Sequence, residues 1–365
     1  MPVHSLAKPL ILIISLAVCL STLEILFRLA NVHPKFFKLQ TGYVKFSNNN
    51  ILGYELNTDN PEIDAYGIKK VPGKIFSKTK PPDNFRILVL GDSISFGCCG
   101  KHLKSDYSSK LEHLLKANSL LQNVEIINAS VPGYNTIQEV EAYLSKHKAL
   151  KPDYIILQVT LNDWMPKAFE YDDLMVALPQ ESKNIAHTFY SSTNKIPNIF
   201  FVSFLVQNIQ YYFLRFQINN LVINYNGASS NILGEQTNNA LIPYWKSTKI
   251  IEDGFLNLKK NLNEHERKNA LVVLFPEFVP DLNAYPEIFT QEHAYIIDSA
   301  TKAGFSILDL LSCYQKEFST KHESFIDQPE DTVHPNDYGH QVAAECISTM
   351  LIPSLENLLS EANQK

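Results

Sequence analysis

The stretch Phe85 to Gly97, FRILVLGDSISFG, limits the fold more than any other part of the chain. Ile87 to Leu90 is an unbroken apolar run that stops at Gly91, with Asp92-Ser93 directly behind it. Short apolar runs bounded by turn residues are the pattern of strands buried on both faces, the habit of parallel sheets. A serine just past such a strand stands at the carboxyl edge of the sheet, where open α/β folds bind ligands. Gly91 lets the chain turn sharply, and Ser93 then starts the next helix. The N–H groups of that helix end face any negative charge that develops there. Alone, Gly91-Asp92-Ser93 says no more than strand, turn and capped helix.

The pattern repeats. A helix is predicted from about Ser105 to Leu120 and a strand over Val124–Ile127. A helix from about Thr136 to His147 and a strand over Tyr154–Val159 follow. Leu271–Leu274 and Phe305–Leu308 read as further strands, and a last helix runs from about Tyr338 to Met350. Alternating strands and helices give a doubly wound, flavodoxin-like, five-stranded parallel sheet with helices on both faces. Residues 31–84 are polar and turn-rich and read as a connector, with short edge strands expected at Gly53-Tyr54 and Tyr66-Gly67-Ile68. More than a hundred residues separate Asp163 from the fourth strand, an insertion of about 165–268. Within it Ile199–Leu205 and Tyr211–Ile223 are rich in aromatic and aliphatic residues. They read as an added core helix over the sheet, or as a lid or membrane-facing helix.

Three further blocks follow strands or sit in the final loop. They are Asn128-Ala129-Ser130-Val131-Pro132-Gly133-Tyr134-Asn135-Thr136, Thr160-Leu161-Asn162-Asp163, and Asp331-Thr332-Val333-His334-Pro335-Asn336. With GDS at 91–93, their order and spacing resemble the SGNH (GDSL-type) hydrolase family over about Phe85 to Leu355. One departure is visible: Thr160 stands where the third block usually has glycine.

Each block has a chemical use. A serine hydroxyl is a poor nucleophile near neutrality and needs an adjacent base. His334 can supply one, since imidazole titrates near working pH. Asp331, three residues earlier, can accept from the other ring nitrogen and fix the tautomer. The resemblance implies an oxyanion hole from the backbone N–H groups of Ser93 and Gly133 and the side-chain amide of Asn162. Gly133 suits that role because backbone without a side chain can approach a substrate closely. Asp92 and Asp163 are assigned to support, through capping and loop hydrogen bonds. The plain alternatives are a surface histidine at His334, turn shaping by Asn128 and Asn135, and an N-cap at Asn162-Asp163.

The chain has 365 residues, 45% hydrophobic and 19% charged, with a net charge of −6. That suffices for a large core and offers no basic patch for nucleic acid. Five cysteines, an odd number, do not form a recognisable disulfide framework. Cys98 and Cys99 are adjacent, while Cys313 and Cys346 can pair but read more simply as buried thiols. No metal-ligand spacing is present, so no metal or other cofactor is expected.

At the N-terminus, Pro9 to Leu23 carries no charge, and Ile25-Leu26-Phe27 extend the run past Glu24. As a helix, Pro9–Phe27 covers about 28 Å, close to the hydrocarbon thickness of a bilayer. Residues 1–30 therefore read as an uncleaved single-pass anchor, with the domain at 85–355 outside the cytoplasm. The alternative is a cleaved signal peptide, although no A-x-A site follows the apolar core. The functional expectation is a membrane-anchored serine ester hydrolase acting on O-acetyl groups of envelope glycans or on lipid esters. The alternatives are an acyltransferase on the same scaffold or a non-catalytic glycan-binding or assembly protein.

Overall fold

A computed structural model describes residues 4–29, 43–47, 49, 51–71, 73–74, 76–98, 105–163, 249–321, 323–329 and 331–362. The chain divides into two compact units, one holding the N-terminal 60 residues and the other the main sheet. In the first, helix α1 spans His4–Leu29. Ile14, Leu16, Val18, Leu20, Leu23, Ile25 and Leu26 are exposed along it. Because consecutive and alternate positions are all exposed, the apolar surface runs around the helix rather than along one stripe. Strands β1 (Val44–Phe46) and β2 (Tyr54–Leu56) pair antiparallel. The strand expected at Gly53-Tyr54 therefore forms, but in its own two-stranded sheet and not on the edge of the main one. Tyr66-Gly67-Ile68 falls inside a single bridge, Ile63 with Lys69. Asp64 Oδ1 closes that turn by accepting from the backbone of Tyr66 and Ile68.

In the second unit, β3 (Phe85–Leu90), β4 (Val124–Asn128), β5 (Tyr154–Val159), β6 (Ala270–Leu274) and β7 (Ser306–Asp309) are all parallel. Their spatial order is β4-β3-β5-β6-β7. This is the five-stranded doubly wound sheet that the sequence pattern implies. The helices are α2 (Ser93–Phe96), α3 (Tyr107–Lys116), α4 (Thr136–Ser145), α5 (Ile250–Asn261), α6 (Glu264–Lys268), α7 (Glu287–Ala303), α8 (Leu311–Lys321) and α9 (Asp337–Ala362).

Side-chain alternation along the strands divides the core into two layers. Ile87, Val89, Ile156, Leu271 and Val273 pack with Leu111 of α3, Tyr314 of α8 and Ile347 of α9. Leu88, Leu90, Leu157, Val272 and Leu274 face the other way, against Val140 of α4, Phe255 of α5 and Ile296 of α7. Helix α5 lies in the last part of the expected insertion and covers the sheet as a core helix. The segments Ile199–Leu205 and Tyr211–Ile223 lie outside the described residues.

Two expectations need correction. The last helix does not stop near Met350 but runs through Pro353 to Ala362. Burial of Leu351 and Leu355 against the core outweighs the backbone hydrogen bond that proline forfeits. Cys313 and Cys346 are not free thiols: they form a disulfide between α8 and α9, with their Cα atoms 6.4 Å apart. The two helices pack side by side, which brings residues 33 positions apart within bonding reach. Cys98 is disulfide-bonded as well.

By length and composition, α9 is the one helix among the described residues apolar enough to cross a membrane, over Asp337–Ser360. It is instead an amphipathic cover, with Ala343, Ile347, Leu351 and Leu355 buried against the sheet. Among the described residues α1 also carries a shorter apolar stretch, Ile14–Leu26.

Candidate active site

The sheet ladder continues beyond the strands on one edge. Ala129 N–H donates to Val89 O (2.9 Å), Val131 to Gly91 (3.0 Å) and Phe275 to Val159 (2.9 Å). The segments after β3, β4, β5 and β6 are thereby drawn side by side at the carboxyl ends of the strands.

After β3, Asp92 is the N-cap of α2, and its Oδ1 accepts from Ile94 N–H at 2.9 Å. The helix is a single turn, closed by Gly97 at φ 68°. Gly91 is needed for a different reason from the sharp turn expected of it. Its backbone is not left-handed, but a Cβ there would overlap Gln158 Oε1 and Ser95 Oγ. Ser93 is the first residue of the turn and is half-buried.

The loop between α8 and α9 brings the second block of chemistry. His334 Nε2 lies 2.8 Å from Ser93 Oγ. On the other side of the ring, Nδ1 lies 2.9 and 3.0 Å from the two carboxylate oxygens of Asp331. A carboxylate only accepts, so Nδ1 carries the proton and the Nε2 lone pair faces the serine hydroxyl. Asp331 Oδ1 also accepts the backbone N–H groups of Val333 (3.3 Å) and His334 (3.0 Å), which curls the loop around its own carboxylate. The loop is fastened to the segment after β6: Phe278 N–H donates to Thr332 O and Thr332 Oγ1 to Glu277 Oε2, both at 2.7 Å. Burial pushes the Glu277 carboxyl up from its ordinary range.

Gly133 occupies the third position of a turn closed by Tyr134 N–H to Val131 O at 3.2 Å. With Pro132 before it and φ at +78°, this is the type II arrangement that favours glycine. After β5, Thr160 has ordinary backbone in place of the family's glycine. Its hydroxyl reaches three acceptors: Asn162 Oδ1 (2.9 Å), Asp163 Oδ1 (2.9 Å) and Asp92 Oδ2 (3.4 Å). Asp163 Oδ2 accepts in addition from Thr136 Oγ1 at 2.8 Å. Asp92 and Asp163 are both fully buried, so their carboxylates tie the post-β3, post-β4 and post-β5 segments together.

The protein-family model described as "GDSL-like Lipase/Acylhydrolase family" matches residues 89–342, well over half of the chain. The chain belongs to this family. As a GDSL-like lipase/acylhydrolase it is an ester-hydrolysing enzyme. No curated protein matches it by sequence. Among solved structures, it is similar to an α/β hydrolase enzyme from the metagenome of Lake Arreo, Spain. They share 15% identity over 72% of this chain and 92% of that one, with a TM-score of 0.41. It is also similar to an acetylxylan esterase from Geobacillus stearothermophilus, at 13% identity over 74% and 94%, with a TM-score of 0.39. Likenesses at this level say nothing of substrate.

Ser93, His334 and Asp331 are thus in contact, and the buried Asp92 and Asp163 carboxylates tie the neighbouring loops together. Two further residues of these contacts, Glu277 and Gln158, have little signature in the sequence. Glu277 follows β6 in a segment without pattern. Gln158 left a faint sign, as the one polar residue in the strand YIILQV. Among the described residues no group of three His, Cys, Asp or Glu side chains is arranged to hold a metal ion.

Proposed function

We propose that this lipase/acylhydrolase is a serine esterase that cleaves carboxylic esters through an acyl-enzyme. The continuous relay Ser93–His334–Asp331 carries the reading. Ser93 Oγ attacks the ester carbonyl as its proton passes to His334 Nε2. The resulting imidazolium is stabilised by Asp331, which remains a carboxylate. The oxyanion is met by the N–H groups of Ser93 and Gly133 and by the Asn162 amide. Collapse expels the alcohol, which takes the proton from His334. Water then repeats the sequence on the acyl-serine and frees the acid. O-acetyl groups of envelope glycans and lipid esters are the substrate classes proposed.

The test is turnover by the full-length protein in detergent of p-nitrophenyl acetate, longer acyl esters, acetylated sugars and lysophospholipids. Labelling by a fluorophosphonate probe accompanies it. Preferred transfer of the acyl group to a sugar would make the enzyme a transferase. No turnover and no labelling would leave a non-catalytic scaffold.

We also propose that α1 anchors the protein to a membrane, with the catalytic unit outside the cytoplasm. Its all-round apolar surface supports the first part. The Cys313–Cys346 disulfide supports the second, since disulfides persist mainly in oxidising compartments. Alkaline carbonate extraction and a reporter fused after Lys365 test both parts. Recovery of a soluble form starting after residue 20, or reporter activity in the cytoplasm, would reject them.

A further inference from the structure

Gln158 lies on β5 and is fully buried. Its Oε1 accepts three hydrogen bonds: from Asp92 N–H (3.1 Å), Ser95 N–H (3.3 Å) and Ser95 Oγ (2.7 Å). Those donors bracket Ser93, one residue before it and two after. The other half of the amide, Nε2, is buried and makes no hydrogen bond. An amide with its donor half unpaired is a poor choice for stability on a strand whose other residues are apolar or aromatic. Such local conflicts concentrate at functional sites.

The contacts extend from Gln158 in one direction. Ser95 has a single hydroxyl proton, and it goes to Gln158. The Tyr107 hydroxyl, 2.7 Å from Ser95 Oγ, must therefore be the donor to it. Burial pushes the Tyr107 phenol up, so it stays a neutral donor. Tyr107 N–H donates in turn to His340 Nδ1 at 3.1 Å. His340 stands in the first turns of α9, and α9 follows directly on the loop that carries His334. The two partners of the Ser93–His334 contact thus hang on one buried chain, β5 to α2 to α3 to α9. A lone helical turn such as α2 is marginal by itself, so its geometry depends on these outside bonds.

We infer that Gln158 is a positioning residue for the nucleophile: its side-chain oxygen, braced by Ser95 and Tyr107, holds the turn that presents Ser93 Oγ to His334. The inference rests on the serine-esterase reading above.

Gln158→Met keeps the length of the side chain and removes the oxygen, while Gln158→Glu keeps an acceptor in the same place. Each is made in the full-length protein and assayed with p-nitrophenyl acetate and a fluorophosphonate probe, well below its melting temperature. Misplacing a nucleophile by about 1 Å costs on the order of 10²-fold in rate. Gln158→Met should lose about 10- to 100-fold in kcat and in labelling rate, with KM within about twofold. Gln158→Glu should recover most of both rates. Tyr107→Phe should lose less, in the same direction, and serves if Gln158→Met does not fold. Wild-type kcat and labelling in Gln158→Met overturn the inference while leaving Ser93 as nucleophile. So does equal loss in Gln158→Met and Gln158→Glu, which marks a packing role. Absence of labelling at Ser93 in the wild type would remove the esterase reading and this inference with it.

Discussion

His334 Nε2 and Ser93 Oγ meet at 2.8 Å across 241 positions of the chain. The contact joins the end of the first core strand to the loop before the last helix. Each residue is held from its own side, Ser93 by the turn that Asp92 caps and His334 by the Asp331 carboxylate, so the pair defines what the surrounding hydrogen bonds are for. Ser93→Ala should abolish fluorophosphonate labelling, and His334→Ala should lower kcat by about 10⁴ or more with the fold intact. Asp331→Asn should leave about 10⁻² to 10⁻⁴ of the activity, because an amide no longer holds the proton on Nδ1. Labelling at a different serine would sink the assignment. Near-full activity of Asp331→Asn would reduce Asp331 to a loop-shaping residue.

The disulfide yields a stability prediction. Cys313 and Cys346 lie 33 positions apart and enclose the loop with Asp331 and His334. On the chain-entropy account a bridge of that span is worth about 3–4 kcal/mol. Paired Cys313→Ser and Cys346→Ser substitutions should lower Tm by about 10 °C. At temperatures well below the transition, kcat should remain close to wild type. An unchanged Tm would mean that the thiols are unpaired in the isolated protein.

Much of this site is legible in the sequence because its parts are local. A buried strand, a turn and a capping aspartate are written within a few residues around Ser93. Asp331 and His334 share one loop, so their spacing carries their geometry. The Cys313–Cys346 bridge is not legible, because it depends on how α8 and α9 pack and not on any spacing between them. Gln158 is hidden for the same reason: its three donors sit on a neighbouring strand end, more than sixty positions away. The run of α9 past Pro353 is not legible, because a proline is a local stop signal while the burial that overrides it is tertiary. Of the β1–β2 hairpin only the second strand is legible, at Gly53-Tyr54, and its separate sheet is not, since pairing partners leave no mark on a three-residue segment.

The pH dependence of stability follows from buried groups with opposite signs. Burial pushes His147 and His340 down to about 4, from an ordinary 6.5. The unfolded chain binds protons at these sites first, so stability is lost as pH falls from about 6.5 towards 4. The loss is about 3 kcal/mol for each histidine. Burial, with help from Glu277 and Asp163, pushes Glu292 up to about 8 from 4.5. There the folded state binds the extra proton, so stability is lost as pH rises from 4.5 towards 8. Two histidine shifts outweigh that of Glu292 below about pH 6.5, and above it only the carboxyl side acts, where the raised Glu277 carboxyl works in the same direction as Glu292. Tm should therefore peak near pH 6.5, and Glu292→Gln should flatten the alkaline side. A wild-type Tm that does not change between pH 6.5 and 8 would contradict the role of Glu292.

Asn162 separates a working enzyme from a scaffold that has kept its shape. Thr160 Oγ1 lies 2.9 Å from Asn162 Oδ1, a contact that orients the amide through its oxygen edge. A donor to the oxyanion gains most when charge develops on the carbonyl, so it acts on rate more than on binding. Asn162→Ala should lower kcat by about 10² to 10³, or roughly 3–4 kcal/mol in the barrier. KM should change little, and probe labelling of Ser93 should slow without vanishing. Thr160→Val removes the hydroxyl that orients the amide and should cost less than Asn162→Ala in kcat. It should cost more in Tm, because the buried acceptors grouped around that one hydroxyl, Asp92 and Asp163 among them, share a single donor and lose it. The competing role is loop shaping or capping by Asn162, worth about 1 kcal/mol of stability and nothing in catalysis. A lowered Tm with unchanged kcat in Asn162→Ala would favour that role and reject the oxyanion contact.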